Sequence, residues 1–306
     1  MKTKQLTDTI LMIRPAHFGY NEETALNNAL QKKSDATYEH ISNLAKEEYD
    51  RMVGVLRNEG IEVVVIDDTR KPIKPDAVFP NNWISFHNDG TIMTYPMNAV
   101  SRRLERREDI VDYFNKHFKV SRRLSLEIFE PKNQFLEGTG SMILDRLNKI
   151  VYACLSPRTN IEMLQHFSLL MDYKVCFFKA TDQNGIDIYH TNVLMALGVD
   201  FVVCCMQAIE PSKKEELESL FAATGKELVD ISFDQMNSFA GNMLQLCNHK
   251  GDPILVLSRT AYNSLTKEQL NILSSKTKLL PIEIPTIESI GGGSARCMIA
   301  EVFLKK

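Results

Sequence analysis

The stretch Phe201-Val202-Val203-Cys204-Cys205 is an unbroken apolar run, and the order of segments after it decides the fold. Glu210-Pro211-Ser212 makes a polar turn with a proline placed to open a helix. Lys213 to Ala223 then reads as a helix, and Glu227 to Ile231 as a second β-rich piece. The same order recurs on both sides. Ile150-Val151-Tyr152-Ala153-Cys154-Leu155 passes through Ser156-Pro157-Arg158-Thr159 into a helix from Ile161 to Leu170, then Lys174 to Phe178. Ile254-Leu255-Val256-Leu257 passes through Ser258-Arg259-Thr260 into a helix from Thr266 to Leu273, then Lys278 to Ile284. Thr91-Ile92-Met93-Thr94-Tyr95-Pro96 precedes a helix from about Arg103 to Phe118, then Leu124 to Ile128.

The strand starts near 92, 150, 201 and 254 give a period of about 50 residues, which marks a repeat architecture. A divergent copy stands first: a strand from Ile10 to Ile13, a helix from about Asp35 to Asn58 closed by Gly60, and a strand from Ile61 to Ile66. In that helix Tyr38, Ile41, Leu44, Ala45, Tyr49, Met52, Val53 and Leu56 fall mostly on one face. Each unit mixes strands with a helix, which excludes an all-β propeller with four-stranded blades. The expected fold class is α/β: a five-fold pseudo-symmetric propeller of ββαβ-type repeats, with residues 1–306 as a single domain. Such a frame brings the loops at the strand ends to one central mouth.

Totals narrow the function. The chain has 306 residues and a net charge of −3, so no basic footprint points to nucleic acid. No apolar run approaches the ~18 residues of a membrane span. The segment Ile10-Leu11-Met12-Ile13 is too short for the apolar region of a signal peptide, which makes the cytoplasm the expected location. The six cysteines, at 154, 176, 204, 205, 247 and 297, form no CxxC pair, so no zinc or redox motif is present. Arg102, Arg103, Arg106 and Arg107 stand among Glu105, Glu108 and Asp109 and read as a solvated helix face. Open repeat edges are compatible with a homodimer.

Five of the cysteines lie in apolar runs. Cys297 alone follows a glycine turn, Gly291-Gly292-Gly293-Ser294-Ala295-Arg296-Cys297. By itself this turn fits either a presented nucleophile or a buried, inert thiol. Three other segments end repeat units: Asp76 to Trp83, Phe135-Leu136-Glu137-Gly138-Thr139-Gly140-Ser141, and Asp187-Ile188-Tyr189-His190-Thr191-Asn192. They supply a carboxylate and an imidazole that the frame can bring to Cys297. Taken singly, Glu137 is also readable as a turn carboxylate and His190 as a structural histidine.

Together, Leu136-Glu137-Gly138, His190 with Asn192, and the glycine turn with Cys297 resemble the guanidino-modifying enzymes of the pentein fold: arginine deiminases, dimethylarginine hydrolases and amidinotransferases. Asp76-Ala77-Val78-Phe79 resembles the start of the substrate clamp of dimethylarginine hydrolases. Met12-Ile13-Arg14-Pro15 and Ser238-Phe239-Ala240-Gly241-Asn242-Met243-Leu244 resemble the arginine-deiminase-related branch called citrulline utilisation hydrolases. The resemblance spans essentially the whole chain and implies roles. Cys297 attacks the central carbon of a guanidino or ureido group. His190 protonates the leaving nitrogen and then activates water, as an imidazole titrating near neutral pH can. Glu137 holds the substrate nitrogens, the histidine, or both. Asp76, Asn81, Asn82 and Asn192 contact substrate. Arg14, Arg158 and Arg259 are candidates for the substrate carboxylate, with Arg14 preferred because its segment belongs to the resemblance. Arg296, beside Cys297, is a candidate for tuning the thiol by its charge.

Where relatives carry acids after the Asp-x-Val-Phe segment, this chain has Asn81 and Asn82. Two residues after the histidine, arginine deiminases carry an acid and this chain has Asn192. The family's Glu-Gly-Gly-Asp becomes Glu137-Gly138-Thr139-Gly140. A desolvated guanidinium that loses a charged partner forfeits roughly 3–5 kcal/mol. A neutral urea needs amide-type partners, which asparagine supplies. Citrulline is therefore the expected substrate, with no metal or organic cofactor. Guanidino substrates, a non-catalytic pentein that binds a partner, and an inactive amino-acid sensor are the other readings.

Overall fold

The computed structural model describes residues 4–306. Four sheets grow from one local rule. A short inner strand turns back into an apolar middle strand, and a helix carries the chain to a parallel outer strand. Ile84–Phe86, Thr91–Thr94 and Arg122–Ser125 form one such sheet; Ile143–Asp145, Ile150–Leu155 and Lys174–Lys179 the next. Met195–Leu197, Phe201–Cys204 and Glu227–Asp230 form the third, and Leu244–Cys247, Pro253–Ser258 and Lys278–Ile282 the fourth. The middle strands are covered on both faces, so they read as continuous apolar runs rather than alternating ones. Phe201, Val202, Val203 and Cys204 are all fully buried.

The fifth sheet joins the two ends of the chain. Thr9–Arg14 pairs in parallel with Glu62–Asp67 on one side and antiparallel with Ala300–Glu301 on the other. The chain's last strand thus serves as the inner strand of its first unit and closes the ring. Inner strands of neighbouring sheets lie against one another, Ala300–Glu301 on Ile84–Phe86 and Met195–Leu197 between Ile143–Asp145 and Leu244–Cys247. The five-unit ββαβ expectation is met.

The crossover helices form where the apolar spacing puts them: Tyr38–Asn58, Ile161–Met171, Pro211–Ala223 and Lys267–Ser274. Tyr38–Asn58 buries Ile41, Ala45, Tyr49, Met52, Val53 and Leu56, and Thr37 caps it by accepting the His40 N–H. The same helix buries Glu48, whose carboxylate accepts the N–H groups of Thr286 (2.9 Å) and Ile287 (3.0 Å). Those donors open the helix Pro285–Gly291, which ends at Gly292 with φ of +61°. Glu48 thereby anchors the element that delivers Cys297. No helix of the described residues is long and apolar enough to cross a membrane.

One expected helix is split. Ser101–Glu105 is a 3₁₀ turn and the α-helix runs only over Glu108–His117. The tighter turn places positions three apart on the same side and swings Arg102 and Glu105 inward. Arg102 is buried, which corrects the reading of this run as a uniformly solvated face.

Candidate active site

Each unit ends its approach to the inner strand with one tight turn. Asn82, Ser141, Asn192, Asn242 and Cys297 hold matching places there, with one or two residues between each and the strand beyond it. All five are buried. The pseudo-symmetry therefore sets a ring of polar side chains around the inner strands, with the thiol as its fifth member.

The Cys297 sulfur faces two of the others. Asn192 Nδ2 lies 3.4 Å and Asn242 Nδ2 3.3 Å from Sγ. The backbone turns at Ser294, whose carbonyl accepts the Cys297 N–H at 2.9 Å and whose hydroxyl donates to Glu288 at 2.6 Å. Arg296 points away from the thiol, donating to the Ile299 carbonyl and to Glu301.

Glu137 sits fully buried at the first residue of its turn. Its Oε1 accepts the Asn98 N–H at 2.9 Å, and Oε2 lies 2.8 Å from His190 Nε2. Arg158 Nη1 is 3.6 Å from the same oxygen. Burial opposes the negative charge, but Arg158, the His190 hydrogen bond and Arg102 outweigh it and hold the carboxyl down at about 2. An ionised carboxylate only accepts, so His190 carries its proton on Nε2 and its Nδ1 is the basic nitrogen. Burial pushes the imidazole down to about 4; Arg158 and Arg102 add to this, and the Glu137 contact only opposes it. The expectation of a histidine titrating near neutrality is thus corrected: burial of the ring, with the two arginines adding, lowers its titration well below neutral pH.

A second neutral histidine stands elsewhere in the core. His87 bonds Ser85 Oγ at 2.8 Å, and burial, with Arg146 adding, pushes it down to about 3. Both histidines take up a proton in the unfolded chain near their ordinary value of 6.5 but not in the folded one. Stability should accordingly fall as pH drops from about 6.5 toward 4, by about 1.4 kcal/mol per pH unit for each histidine. Urea titrations at descending pH should show this slope, and His87→Gln should roughly halve it. A flat profile down to pH 5 would contradict the assignment of both rings as neutral.

The clamp segment Asp76 to Trp83 crosses from the second unit. Asp76 Oδ2 accepts from Asn21 (2.8 Å) and Thr24 (3.2 Å), while Oδ1 is buried with no partner. Asn82 Oδ1 accepts from Arg102 Nη1 at 2.7 Å. Arginine only donates, so this contact fixes the amide and leaves Asn82 Nδ2 buried and unpaired. Gly140 permits the approach: a Cβ there would collide with Asn82 Nδ2 and lie 2.9 Å from the His190 ring. Arg102 itself is bidentate on Glu105 at 2.8 Å and lies 3.8 Å from Asp76.

Cys297, His190, Asp76, Asn82, Arg102 and Arg158 line one pocket, with Tyr189 and the three glycines on its wall. Loop residues Thr24, Asn28 and Gln31 close it; Gln31 Nε2 donates to the Gly291 carbonyl at 3.0 Å. The structure thus brings together most of the expected residues, with two corrections. Arg14 is outside: its guanidinium is bidentate on Asp50 at 2.8 Å on the helix packed beside its strand. Arg158 occupies the pocket instead, held by Asn27 and the Thr24 carbonyl, while Arg259 pairs with Glu283 away from the pocket. Asn81 is fully buried beside the pocket rather than in it, its carbonyl accepting from Thr139 and its side chain unpaired.

Sequence reasoning missed Arg102, the loop 21–31 and the role open to Asn242. Asn242 was findable from the repeat, since it matches Asn82, Asn192 and Cys297 in its own unit. Arg102 had no such signal, being one arginine among four.

A family profile described as N,N dimethylarginine dimethylhydrolase, eukaryotic, matches residues 14–304. No curated protein matches the chain. The N-terminal domain of ArgZ, an arginine dihydrolase from the ornithine-ammonia cycle in cyanobacteria, solved bound to substrate, aligns with a TM-score of 0.72 at 16% identity, over 96% of this chain and 97% of that one. AgrE in ternary complex with ornithine and NAD+ aligns with a TM-score of 0.74 at 17% identity, over 96% of this chain but 39% of AgrE. A dimethylarginine dimethylaminohydrolase adduct with S-methyl-L-thiocitrulline gives 0.65 at 13% identity, over 97% and 100%. At these identities the solved structures establish the fold, the five-unit pentein. The match over residues 14–304 establishes more: the chain belongs to the dimethylarginine dimethylhydrolase family of guanidino-modifying penteins, hydrolases of carbon–nitrogen bonds.

Proposed function

We propose that the protein hydrolyses the ureido group of a small amino acid, citrulline being the simplest. The observation that carries this reading is Asn82. Arg102 fixes its amide so that an N–H donor, not an acceptor, is left unpaired at the pocket. A ureido oxygen accepts such a bond; a guanidinium has only N–H groups to offer and would leave the donor buried and unsatisfied, which costs roughly 1–3 kcal/mol.

The steps balance with the side chains present. His190 Nδ1 takes the Cys297 thiol proton, and the sulfur attacks the ureido carbon. The resulting imidazolium, stabilised by ionised Glu137, gives that proton to the side-chain nitrogen as its C–N bond breaks. Ornithine leaves and an S-carbamoyl enzyme remains. Neutral His190 then takes a proton from water, which attacks the carbamoyl carbon; the thiolate departs and is reprotonated. The carbamate decomposes to carbon dioxide and ammonia. Arg158 supplies the positive charge for the substrate carboxylate, and Asp76 Oδ1 accepts an N–H from the substrate.

A second reading has its own support. Asp76 is a buried carboxylate at the pocket, and Glu137 is a second one directly behind His190, a set that also suits a guanidinium. Arginine would then go to ornithine in two hydrolyses; the similar ArgZ enzyme is named an arginine dihydrolase. Incubation with citrulline, arginine and dimethylarginine separates the readings. Ornithine and ammonia from citrulline, with arginine inert, is the expected result. Ornithine from arginine favours the double hydrolysis. Citrulline accumulating from arginine or dimethylarginine overturns the ureido reading, and no turnover of any of them favours a binding protein.

A further inference from the structure

The pocket's nucleophile rests on a residue outside the catalytic trio, and the geometry points to a specific task for it. We propose that Asn242 is a positioning residue that holds Cys297 in its attacking form. This role rests on the reading of Cys297 as the nucleophile.

Asn242 is buried, and every atom of its amide is committed. Oδ1 accepts the Arg296 backbone N–H at 3.1 Å. That contact fixes the orientation of the amide, because a backbone N–H can only donate. Nδ2 therefore carries the two hydrogens toward the site. One goes to the Asn192 carbonyl at 2.8 Å and the other falls on Cys297 Sγ at 3.3 Å. The neighbouring Asn192 Nδ2 approaches the same sulfur at 3.4 Å, but its own Oδ1 is unpartnered, so nothing locks that amide. Asn242 is the fixed donor of the pair.

Its anchor is rigid as well. Arg296, whose N–H fixes Oδ1, is itself tied to Glu301 at 2.8 Å and to the Ile299 carbonyl at 2.9 Å. Glu301 lies on the strand that closes the ring. The chain of contacts runs from ring closure through Arg296 to Asn242 and on to the sulfur. When the thiol holds its proton, Sγ is also 3.6 Å from Oδ1, so the same amide can accept from S–H before the proton moves to His190 and donate to the thiolate afterwards. An N–H aimed at a buried sulfur solvates the charge that a thiolate develops.

The test reads the thiol directly. The full-length protein is treated with iodoacetamide across a pH series, and labelling at Cys297 is tracked by peptide mass spectrometry. Asn242→Asp keeps the shape but replaces the donor with an acceptor bearing charge. It should slow alkylation of Cys297 at pH 7 at least tenfold, with the deficit vanishing near pH 10. Asn242→Ala should show the same pH-dependent deficit at smaller size, with its melting temperature measured alongside as a check on folding. Profiles of both variants that superimpose on the unmodified protein would overturn the proposal. Failure of the underlying reading looks different: Cys297 of the unmodified protein would then label no faster than its other thiols, and Cys297→Ala would retain turnover.

Discussion

Exchanging Cys297 for alanine is expected to lower citrulline turnover by at least roughly 10⁴-fold, the scale on which loss of a catalytic nucleophile acts. His190 is neutral and so cannot open the reaction by donating a proton; it must first take one from the thiol. Without Cys297 there is no thiol proton to pass on and no S-carbamoyl enzyme to form. The fold should survive, because the turn is held by Glu48 at the start of Pro285–Gly291 and by Ser294 on Glu288, not by the thiol. Removing the sulfur leaves the Asn192 and Asn242 donors short of one acceptor, which costs about 1–3 kcal/mol and shifts melting by only several degrees. Two measurements check this. Ornithine release should fall to background, and an adduct on the Cys297 peptide after acid quenching should be seen only with the unmodified protein. A variant retaining even one per cent of the rate would remove Cys297 from the mechanism.

What the sequence made legible was what repeats. The middle strands announced themselves because burial on both faces demands continuous apolar runs. The period then located the segments that carry Glu137, His190 and Cys297. Closure of the ring was not visible locally, since Ile10 pairs with Glu301 across nearly the whole chain. Nor was Arg102. Composition showed a charged run, but only the 3₁₀ turn over Ser101–Glu105 decides which arginine turns inward and takes Asn82. Arg14 failed as the carboxylate partner for a similar reason: its choice of Asp50 depends on how the helix Tyr38–Asn58 docks, not on any neighbouring residue. The protonation of His190 is likewise a property of assembly, set first by burial of the ring, with Arg158 and Arg102 from two other segments adding to it. Asn242 is the instructive omission. Its segment entered only as part of a resemblance, although the repeat places it in register with Cys297.

The choice between urea and guanidinium should turn on Asn82. Asn82→Asp retains the Arg102 contact through one carboxylate oxygen and replaces the unpaired N–H with the other. The pocket then presents two carboxylates, from Asp76 and the substituted position, against Arg102 and Arg158, with Glu137 engaged by His190 and Glu105 by Arg102. A ureido oxygen would meet an acceptor where it had a donor, while a guanidinium would gain a charged partner. Losing the donor and gaining the repulsion should lower kcat/KM for citrulline by about 2–3 kcal/mol, on the order of 100-fold. For arginine the change runs the other way, because a desolvated cation gains from a carboxylate within reach. The ratio of kcat/KM for arginine over citrulline should therefore rise by at least about two orders of magnitude. Asn82→Ala separates the two effects. It removes the donor without adding charge, so it should lower citrulline turnover without raising that of arginine. If Asn82→Asp lowered both substrates equally, Asn82 would be acting only through Arg102, and the neutrality of the substrate would have to rest on some other group. The discrimination is expected to be sharp because Arg102 leaves the Asn82 amide no freedom to turn: Asn82 cannot present its oxygen there, and on the proposed reading its N–H selects a group that accepts.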